Sequence, residues 1–446
     1  MQISKATKIE LLNFKSVPMR AFHASWLTFF ICFFAWFGLA PLMPEIKKEL
    51  NLTKAQIANI SMAAVSMTVF ARLLIGWLCD KIGPRLCYVI LLSVGAVPVI
   101  MIGLVNSYEA FLIGRLFIGL IGASFVITQY HTSVMFAPNI VGTANATTAG
   151  WGNLGGGVTQ MAMPAIFAGI VSLGFTASEA WRIAMIFPGL ALLLMAYVYF
   201  KYTQDTPEGN VLELRKKNPE FRAKNPDIKG SFWMACKDYR VWILGLVYGA
   251  CFGIELTIDG IAAIYFTEEF NTPLMIAGTI AASFGVMNLF ARALGGIYSD
   301  KVSRKFGLKG RIVLLGAFLF LEGIGIMLFS EMTLLPLAIL TMILFALFVK
   351  MSNGVTYSIV PFVNKKALGS VAGIVGAGGN IGAVLANSVF TVHSYRYGLF
   401  IIGAVVCGIS ILSLFLKFPN EESEVLPANI EEAGEVKEAE KVRELV

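Results

Sequence analysis

Long apolar stretches occupy most of this chain and restrict how it can fold. About twenty consecutive apolar residues are enough for a helix to cross the hydrocarbon core of a bilayer. Because no water satisfies backbone polar groups there, each such stretch predicts a transmembrane α-helix. We place twelve of them, near residues 24–44, 55–78, 86–106, 109–131, 143–173, 181–201, 240–266, 275–299, 311–330, 333–361, 368–392 and 395–417.

Composition also indicates an all-α membrane protein. Hydrophobic residues make up 57% of the chain and charged residues 14%, whereas a soluble domain carries roughly 25% charged residues. We see no cleavable signal peptide, because the residues before the first apolar stretch are basic and polar. The cysteines show neither disulfide nor metal-ligand spacing, so we interpret them as packing residues and expect no metal and no cofactor. They are Cys32, Cys79, Cys87, Cys236, Cys251 and Cys407.

The distribution of positive charge predicts the topology. Most lysines and arginines fall in loops on one side of the predicted helices, and the positive-inside rule assigns that side and both termini to the cytoplasm. We interpret the net charge of +7 as an orientation signal and not as nucleic-acid binding. The predicted parts are a cytoplasmic segment, a six-helix bundle, a cytoplasmic connector, a second six-helix bundle and a disordered tail, at 1–23, 24–201, 202–239, 240–417 and 418–446.

The pattern F-A-R-x-L-x-G-x-x-x-D-K occurs twice, at residues 70–81 and 290–301. Its arginines, Arg72 and Arg292, are 292 − 72 = 220 residues apart, about half the chain, so the protein is a duplicated unit. A charge inside a membrane span is costly and usually faces a polar cavity or a partner. Matching arginines predict a shared central site. The alternative is that each arginine pairs with a carboxylate and only locks helices together.

A second repeat, with the core G-N-[LI]-G, places an asparagine among glycines in the fifth span of each half. Glycines in membrane helices usually serve close helix packing. They also let the backbone approach a small ligand, and the amides of Asn153 and Asn380 can donate hydrogen bonds to an anion. The glycines of these runs are Gly150, Gly152, Gly155, Gly376, Gly379 and Gly382.

Two motifs resemble those of the major facilitator superfamily. Residues 76–85, G-W-L-C-D-K-I-G-P-R, are similar to its signature loop, and residues 115–119, R-L-F-I-G, to its fourth-span arginine motif. The resemblance implies a fold of twelve transmembrane helices in two pseudo-symmetric six-helix bundles. It also implies a gating or conformational role for the charged residues of these motifs and their repeat, which are Asp80, Arg85, Arg115, Asp300 and Lys301.

A more specific resemblance, to the nitrate/nitrite porter family, covers nearly the whole chain. The family's two substrate arginines match Arg72 and Arg292, and its glycine motifs match the runs around Asn153 and Asn380. The resemblance implies secondary active transport of nitrate, and of nitrite as a further substrate, by alternating access. Arginine suits a desolvated oxyanion because it stays charged and offers a planar fork of donors.

The resemblance also implies aromatic contacts to the anion. By motif position, the family's aromatic pair corresponds to Phe125 and Phe252, and its assisting tyrosine to Tyr248. Residues 252–259, F-G-I-E-L-T-I-D, resemble the high-affinity uptake branch of plants, algae and cyanobacteria. The large extra loop of some eukaryotic members is missing from this chain.

The membrane potential bears on how transport is energised. Importing an anion against an inside-negative potential costs about 2.3 kcal/mol per 100 mV and needs protons or a counter-exchanged anion. Glu255 and Asp259 share one face of the seventh span and are candidates to carry protons. Alternatively they pair with a basic residue such as Lys350 or Arg115, and Glu322 is unassigned.

The sequence therefore predicts a proton-coupled nitrate transporter, acting as a monomer in the cell membrane or inner membrane. An electroneutral nitrate/nitrite antiporter and a carrier for another small organic anion are the alternatives. An enzyme is not indicated, because we find no nucleophile elbow, phosphate-cradling loop or metal-binding cluster in the sequence.

Overall fold

The computed structural model describes residues 5–217, 230–272, 274–390 and 392–418. The predicted disordered tail lies outside the described residues beyond residue 418, and so does the part of the predicted connector at 218–229. The described chain is built from helices that group into two halves.

The helices of the first half are α1 (Val17–Phe37), α2 (Met43–Glu49), α3 (Lys54–Ile82), α4 (Pro84–Met101), α5 (Tyr108–Ile118), α6 (Ser124–Met135), α7 (Val141–Ser172), α8 (Ala177–Ala184), α9 (Ile186–Tyr202) and α10 (Val211–Lys217). Those of the second half are α11 (Ser231–Lys237), α12 (Tyr239–Phe270), α13 (Leu274–Val286), α14 (Ala291–Glu331), α15 (Leu335–Ile359), α16 (Leu368–Val389) and α17 (Tyr395–Ser413). Short 3₁₀ turns join several of them.

Local sequence explains where these helices begin and end. Helix α3 starts with a capping box, in which Gln56 N donates to Thr53 Oγ1 at 3.2 Å and Thr53 N donates to Gln56 Oε1 at 2.9 Å. It ends at Gly83, whose φ of +86° favours glycine, and Pro84 then opens α4. Helix α1 begins at Val17, seven residues before the predicted span at 24, because the extended Ser16 and the first-turn Pro18 already start a helix there.

Ten helical stretches among the described residues are long and apolar enough to cross a membrane. One of them, Thr279–Glu331, has 53 residues. At about 1.5 Å per residue it would be roughly 80 Å long, far more than a bilayer core of about 30 Å. Gly307, with φ 58° and ψ −152°, interrupts its helical conformation, so the stretch crosses more than once. The number of twelve spans stays a prediction, since α3 is not among the ten.

The two halves pack closely along two seams that involve glycines. In the seam between α3 and α16, a Cβ added to Gly76 would lie 2.3 Å from the carbonyl oxygen of Gly369. In the seam between α7 and α14, a Cβ on Gly296 would lie 2.4 Å from the carbonyl oxygen of Gly142. Because Gly76 and Gly296 are 296 − 76 = 220 residues apart, the duplication extends to these seams. Only glycine permits this backbone separation.

A further duplicated feature is an ion pair within each half, at one end of the molecule. Arg182 Nη2 lies 2.5 Å from Glu49 Oε1 in the first half, and Arg396 Nε lies 2.7 Å from Glu269 Oε2 in the second. The glutamates are 269 − 49 = 220 residues apart. The pair joins α2 to α8 in the first half and α12 to α17 in the second. The sequence analysis did not single out these pairs.

We predict that Gly369→Ala lowers stability by about 1–3 kcal/mol, because its new methyl group overlaps the backbone of α3 and has no room to move. Gly408→Ala is the matched control, since a Cβ there has no neighbour within 4 Å and alanine favours the helix. The measurement is the melting temperature of both variants in detergent. Equal melting temperatures for Gly369→Ala and the wild type would contradict the seam described here.

Candidate functional site

Arg72 of α3 is fully buried and held by backbone carbonyl groups. Its Nε donates to Gly122 O at 3.2 Å, and its Nη1 donates to Gly376 O at 2.5 Å in the other half. Its Nη2 has no hydrogen-bond partner, and no described carboxylate lies within 4.0 Å of the guanidinium. Arg72 therefore keeps an unneutralised charge and an unused donor inside the protein.

Arg292, near the start of α14, is buried in the same way but has different neighbours. Its Nη2 donates to the hydroxyl oxygen of Tyr248 at 2.9 Å. Its Nη1 lies 3.8 Å from Glu255 Oε2, beyond hydrogen-bond distance, and neither Nε nor Nη1 has a hydrogen-bond partner. The carboxylate near Arg292 is thus a distant neighbour and does not saturate the guanidinium.

The two arginines flank the same pair of aromatic rings. Phe125 of α6 and Phe252 of α12 are nearly parallel, with centroids 6.2 Å apart and an interplanar angle of 12°. The Cζ atom of Arg72 lies 5.3 and 5.4 Å from these two centroids, and that of Arg292 lies 5.6 and 5.9 Å away. Four side chains predicted from the sequence, two from each half, therefore lie close together, and we call the region between them the chamber.

Two tyrosines complete the aromatic wall. Tyr248 stacks on Phe252 with centroids 5.0 Å apart. Tyr357 of α15 meets Phe125 and Tyr248 edge-on at 4.7 and 4.9 Å, and its hydroxyl donates to Ala372 O at 3.1 Å. The sequence analysis missed Tyr357, although residues 350–358 form a conspicuous polar run within an apolar span.

Most of the predicted motif glycines pack against other residues. A Cβ on Gly379 would lie 2.7 Å from Tyr248, and one on Gly152 would overlap Phe29, which itself contacts Phe125. The short distances for Gly150, Gly155 and Gly382, all to backbone atoms, indicate the same tight packing. Gly376 contributes its carbonyl to Arg72.

The two motif asparagines differ from these glycines. Asn153 and Asn380 are buried, and none of their side-chain amide atoms has a hydrogen-bond partner. Asn380 follows Gly379, which packs against Tyr248 of the aromatic wall. Asn153 follows Gly152, which packs against Phe29, a neighbour of Phe125. Buried amides without partners are costly and mark places where a polar ligand can bind.

Glu255 of α12 lies at the centre of a buried polar network. Its carboxylate accepts hydrogen bonds from Asn288 Nδ2 at 2.7 Å and from Asn353 Nδ2 at 2.6 Å, and Lys350 Nζ lies 2.8 Å from its Oε1. Both oxygens face donors, which is the environment of an ionised carboxylate. Of the two basic partners considered for Glu255, the structure places Lys350 beside it.

The remaining charged candidates occupy other places. Arg115 donates from Nη1 to Trp36 O at 2.5 Å, and Asp259 is exposed, one turn beyond Glu255. The sequence analysis did not single out Asn288 or Asn353, because an asparagine in an apolar span shows no partner in the sequence.

Two aspartates of the repeated motif join the halves at the end opposite the Glu49 and Glu269 pairs. Asp80 accepts hydrogen bonds from Gly369 N, Ser370 N and Ser370 Oγ at 2.8, 2.9 and 2.7 Å. Its carboxylate thereby caps the N-terminus of α16, where the helix dipole favours negative charge. We call the end of the molecule that carries Asp80 and Asp300 the basic end, because the loops beside them are rich in lysine and arginine.

Asp300 makes the equivalent cap on α7. It accepts hydrogen bonds from Gly142 N at 3.2 Å and from Thr143 N and Oγ1, both at 2.6 Å. Arg311 Nη1 lies 2.8 Å from the same carboxylate, and its Nη2 donates to Pro138 O at 3.1 Å. The sequence analysis did not single out Arg311 as part of this contact.

Arg85 and Lys301, the other predicted gating residues, make different contacts. Arg85 Nε donates to Phe200 O at 2.9 Å within the first half, and its backbone N–H donates to Asp205. Lys301 lies over the ring of Tyr298, on its own helix, at 5.9 Å. Among the predicted gating residues, the contacts described between the halves are those of Asp80 and Asp300.

Comparison with known proteins identifies the family. The Major Facilitator Superfamily pattern matches residues 25–387. High affinity nitrate transporter 2.5 of Arabidopsis thaliana is 40% identical over 419 residues, covering 93% of this chain and 83% of that protein. This chain belongs to the nitrate/nitrite porter family of the Major Facilitator Superfamily. The resemblance read from the sequence is thereby confirmed.

Further relatives agree with this assignment. The porter is 29% identical over 494 residues to the nitrate/nitrite transporter NrtP of Nostoc punctiforme, covering 93% of the chain and 95% of that protein. The solved structure of the human organic anion transporter MFSD10 superimposes with a TM-score of 0.65 at 14% identity, covering 89% of the porter and 99% of that chain. The predicted major facilitator fold is confirmed, and the porter is a multi-pass membrane protein of a transporter family.

We predict that Glu255→Gln destabilises the porter by about 3–5 kcal/mol, because it leaves Lys350 buried without a counter-ion. The double variant Glu255→Gln with Lys350→Met removes both charges and should recover most of this loss. A double-mutant cycle of melting temperatures in detergent measures the effect. If Glu255→Gln alone melted like the wild type, the carboxylate would not be the group that neutralises Lys350.

Proposed function

We propose that this porter carries nitrate across the membrane, holding the anion between Arg72 and Arg292 in the chamber walled by Phe125 and Phe252. The observation that carries the proposal is the convergence of two guanidinium groups, with Cζ atoms within 5.9 Å of the same two ring centroids, while no carboxylate saturates either group. The relatives named as nitrate transporters support nitrate as the substrate.

The geometry suits a small flat anion. A planar group stacked between two rings needs about 7 Å, which is twice the optimum separation of non-bonded atoms. The two rings are nearly parallel with centroids 6.2 Å apart, so we propose that they move apart to admit nitrate. A bulkier organic carboxylate requires a larger rearrangement, which favours nitrate over the alternative of an organic-anion carrier. The NrtP relative, named for both anions, supports nitrite as a further substrate.

Charge makes the chamber selective for anions. Arg72, Arg292 and Lys350 contribute three positive charges and Glu255 one negative charge, so these four side chains have a net charge of two. Like charges repel strongly in a medium of low polarity. A bound anion relieves this repulsion and lets the two halves approach each other around it. Asn153 and Asn380 provide further amide donors, one from each glycine motif.

Transport then follows by alternating access about this chamber. We assign the basic end and both termini to the cytoplasm, on the positive-inside rule. The caps of Asp80 on α16 and of Asp300 on α7 join the halves at that end, which supports a state closed toward the cytoplasm. Breaking both caps while each half stays rigid opens the chamber to the cytoplasm.

Uptake against the membrane potential needs a coupled ion. Moving one anion inward costs about 2.3 kcal/mol per 100 mV, so we propose cotransport with protons. Exchange of nitrate for internal nitrite is the competing candidate, favoured by the NrtP name. In proteoliposomes, an inward proton gradient should stimulate nitrate uptake, and stimulation by internal nitrite alone would favour exchange.

We predict that Arg72→Lys and Arg292→Lys each weaken nitrate binding at least tenfold. A hydrogen bond to a charged group is worth about 1.5–3 kcal/mol, and a lysine cannot offer the planar fork of donors. Isothermal titration calorimetry on purified protein measures the affinity. Arg240→Lys is the control, because Arg240 pairs with Asp238 outside the chamber. Wild-type affinity in both chamber variants would refute the assignment.

We predict that Asp80→Asn and Asp300→Asn each increase the fraction of molecules that are open at the basic end. The uncharged amide loses the attraction of the carboxylate to the helix N-terminus. Spin labels at Lys81→Cys and Lys366→Cys, in a background without reactive native cysteines, should show a larger population of long distances. Asp238→Asn removes a carboxylate that does not cap the opposite half and serves as the control. Unchanged distance distributions in both variants would show that the caps do not hold this end closed.

A further inference from the structure

Glu322 of α14 is a buried carboxyl group that the anion chamber does not use. Its side chain is inaccessible to solvent, and neither of its oxygens has a hydrogen-bond partner. The hydroxyl of Ser352 is a polar neighbour, but no hydrogen bond joins it to the carboxyl group. An ionised carboxylate without partners is very costly in such a place, so the group carries a proton.

The groups that face Glu322 explain why it has no counter-ion. From α12 it is approached by Glu255 and Cys251, from α15 by Lys350, and from α17 by Cys407. Lys350 is the only cation among these neighbours, and its Nζ lies 2.8 Å from Glu255 and 4.2 Å from the ring centroid of Phe284. The positive charge closest to Glu322 is therefore already neutralised by another carboxylate.

The two carboxyl groups of this network differ in what they can do. Glu255 accepts hydrogen bonds from two amides and contacts Lys350, and this set of donors keeps it ionised. Glu322 has no such donors and is the group that can hold a proton. Asp259, on the next turn of α12, differs from Glu322 in being exposed.

We propose that Glu322 is the residue of this porter that binds the coupled proton. This inference rests on the proposed function and names its coupling site. A proton from the extracellular side binds one carboxyl oxygen as an O–H group, and it leaves as H⁺ to the cytoplasm after the anion is released. Arg72, Arg292, Lys350, Glu255 and Glu322 are the charged groups of the chamber and the network. Their net charge is +2 when Glu322 is protonated and +1 when it is ionised. Anion binding therefore favours the protonated form, and protonation favours anion binding by the same factor.

Glu255 connects the two sites. It lies between Lys350 at 2.8 Å and Arg292 at 3.8 Å, so it interacts with both cations. An anion bound to Arg292 repels Glu255 toward Lys350, which leaves Glu322 without a counter-ion and keeps its proton in place. When the anion leaves, Glu255 moves toward Arg292. Lys350 can then stabilise the Glu322 carboxylate, which releases its proton.

The test measures protons taken up when nitrate binds to purified porter in weakly buffered solution with a pH-sensitive dye. We expect the wild type to take up a proton with nitrate, and Glu322→Gln to bind nitrate without proton uptake. Asp259→Asn should behave like the wild type. Glu331→Gln is the matched control, because it makes the same substitution at an exposed position of the same helix. In proteoliposomes, Glu322→Gln should exchange nitrate but lose its response to a proton gradient.

The outcomes separate this inference from the proposed function. A wild type that binds no nitrate refutes the proposed function, whereas nitrate binding without proton uptake refutes only the role of Glu322. Loss of proton uptake in Asp259→Asn but not in Glu322→Gln also overturns it. If Glu322→Gln fails to fold, Ser352→Ala provides the test. The dipole of the Ser352 hydroxyl favours the ionised form of Glu322 even without a hydrogen bond, so its removal should move the pH midpoint of nitrate binding upward. An unchanged midpoint contradicts the proposal.

Discussion

The repulsion between two buried guanidinium groups is the constraint on which the rest of this structure depends. Arg72 and Arg292 come from opposite halves and face the same aromatic pair, and neither is neutralised by a carboxylate in direct contact. Such charges inside a bilayer persist only where the surrounding protein holds them in place. Backbone carbonyls hold Arg72, and the hydroxyl of Tyr248 holds Arg292. The proposed binding of an anion between the two arginines follows from this arrangement.

The polar contacts at the two ends of the molecule are of two kinds. Some lie within one half and keep it rigid, and others join the two halves. The pairs of Glu49 with Arg182 and of Glu269 with Arg396 lie within single halves, at the end opposite the basic end. The caps formed by Asp80 and Asp300 cross between halves and consist of a few hydrogen bonds each. Caps of this kind can break without unfolding a helix, because the helices they cap keep their own hydrogen bonds. Rigid halves with breakable contacts between them are what a rocking transporter requires.

Much of the fold and part of the site could be predicted because they depend on local patterns in the sequence. Apolar length predicts the helices, and a 220-residue offset predicts the paired arginines. The convergence of Phe125, Phe252 and Tyr248 was reached only through family resemblance, since a phenylalanine in an apolar span gives no signal of its own. Tyr357, Asn288, Asn353 and Arg311 were missed for the same reason. The choice of Lys350 as the partner of Glu255 stayed open, because the sequence separates them by 350 − 255 = 95 residues and does not show which helix faces meet.

By itself the sequence determined that this chain is a duplicated helical membrane protein with a matching arginine, Arg72 or Arg292, in the repeated motif of each half. Apolar length, charge placement and repeats are local properties. Only the tertiary structure decided which charges are neutralised and which are not. Glu255 accepts hydrogen bonds from two amides and contacts Lys350, whereas neither oxygen of Glu322 has a hydrogen-bond partner, although both are single glutamates in apolar spans. The difference arises from the packing of α12, α14 and α15 against one another, which sets the distances between charges from separate segments. Electrostatic energy in a medium of low polarity depends steeply on those distances.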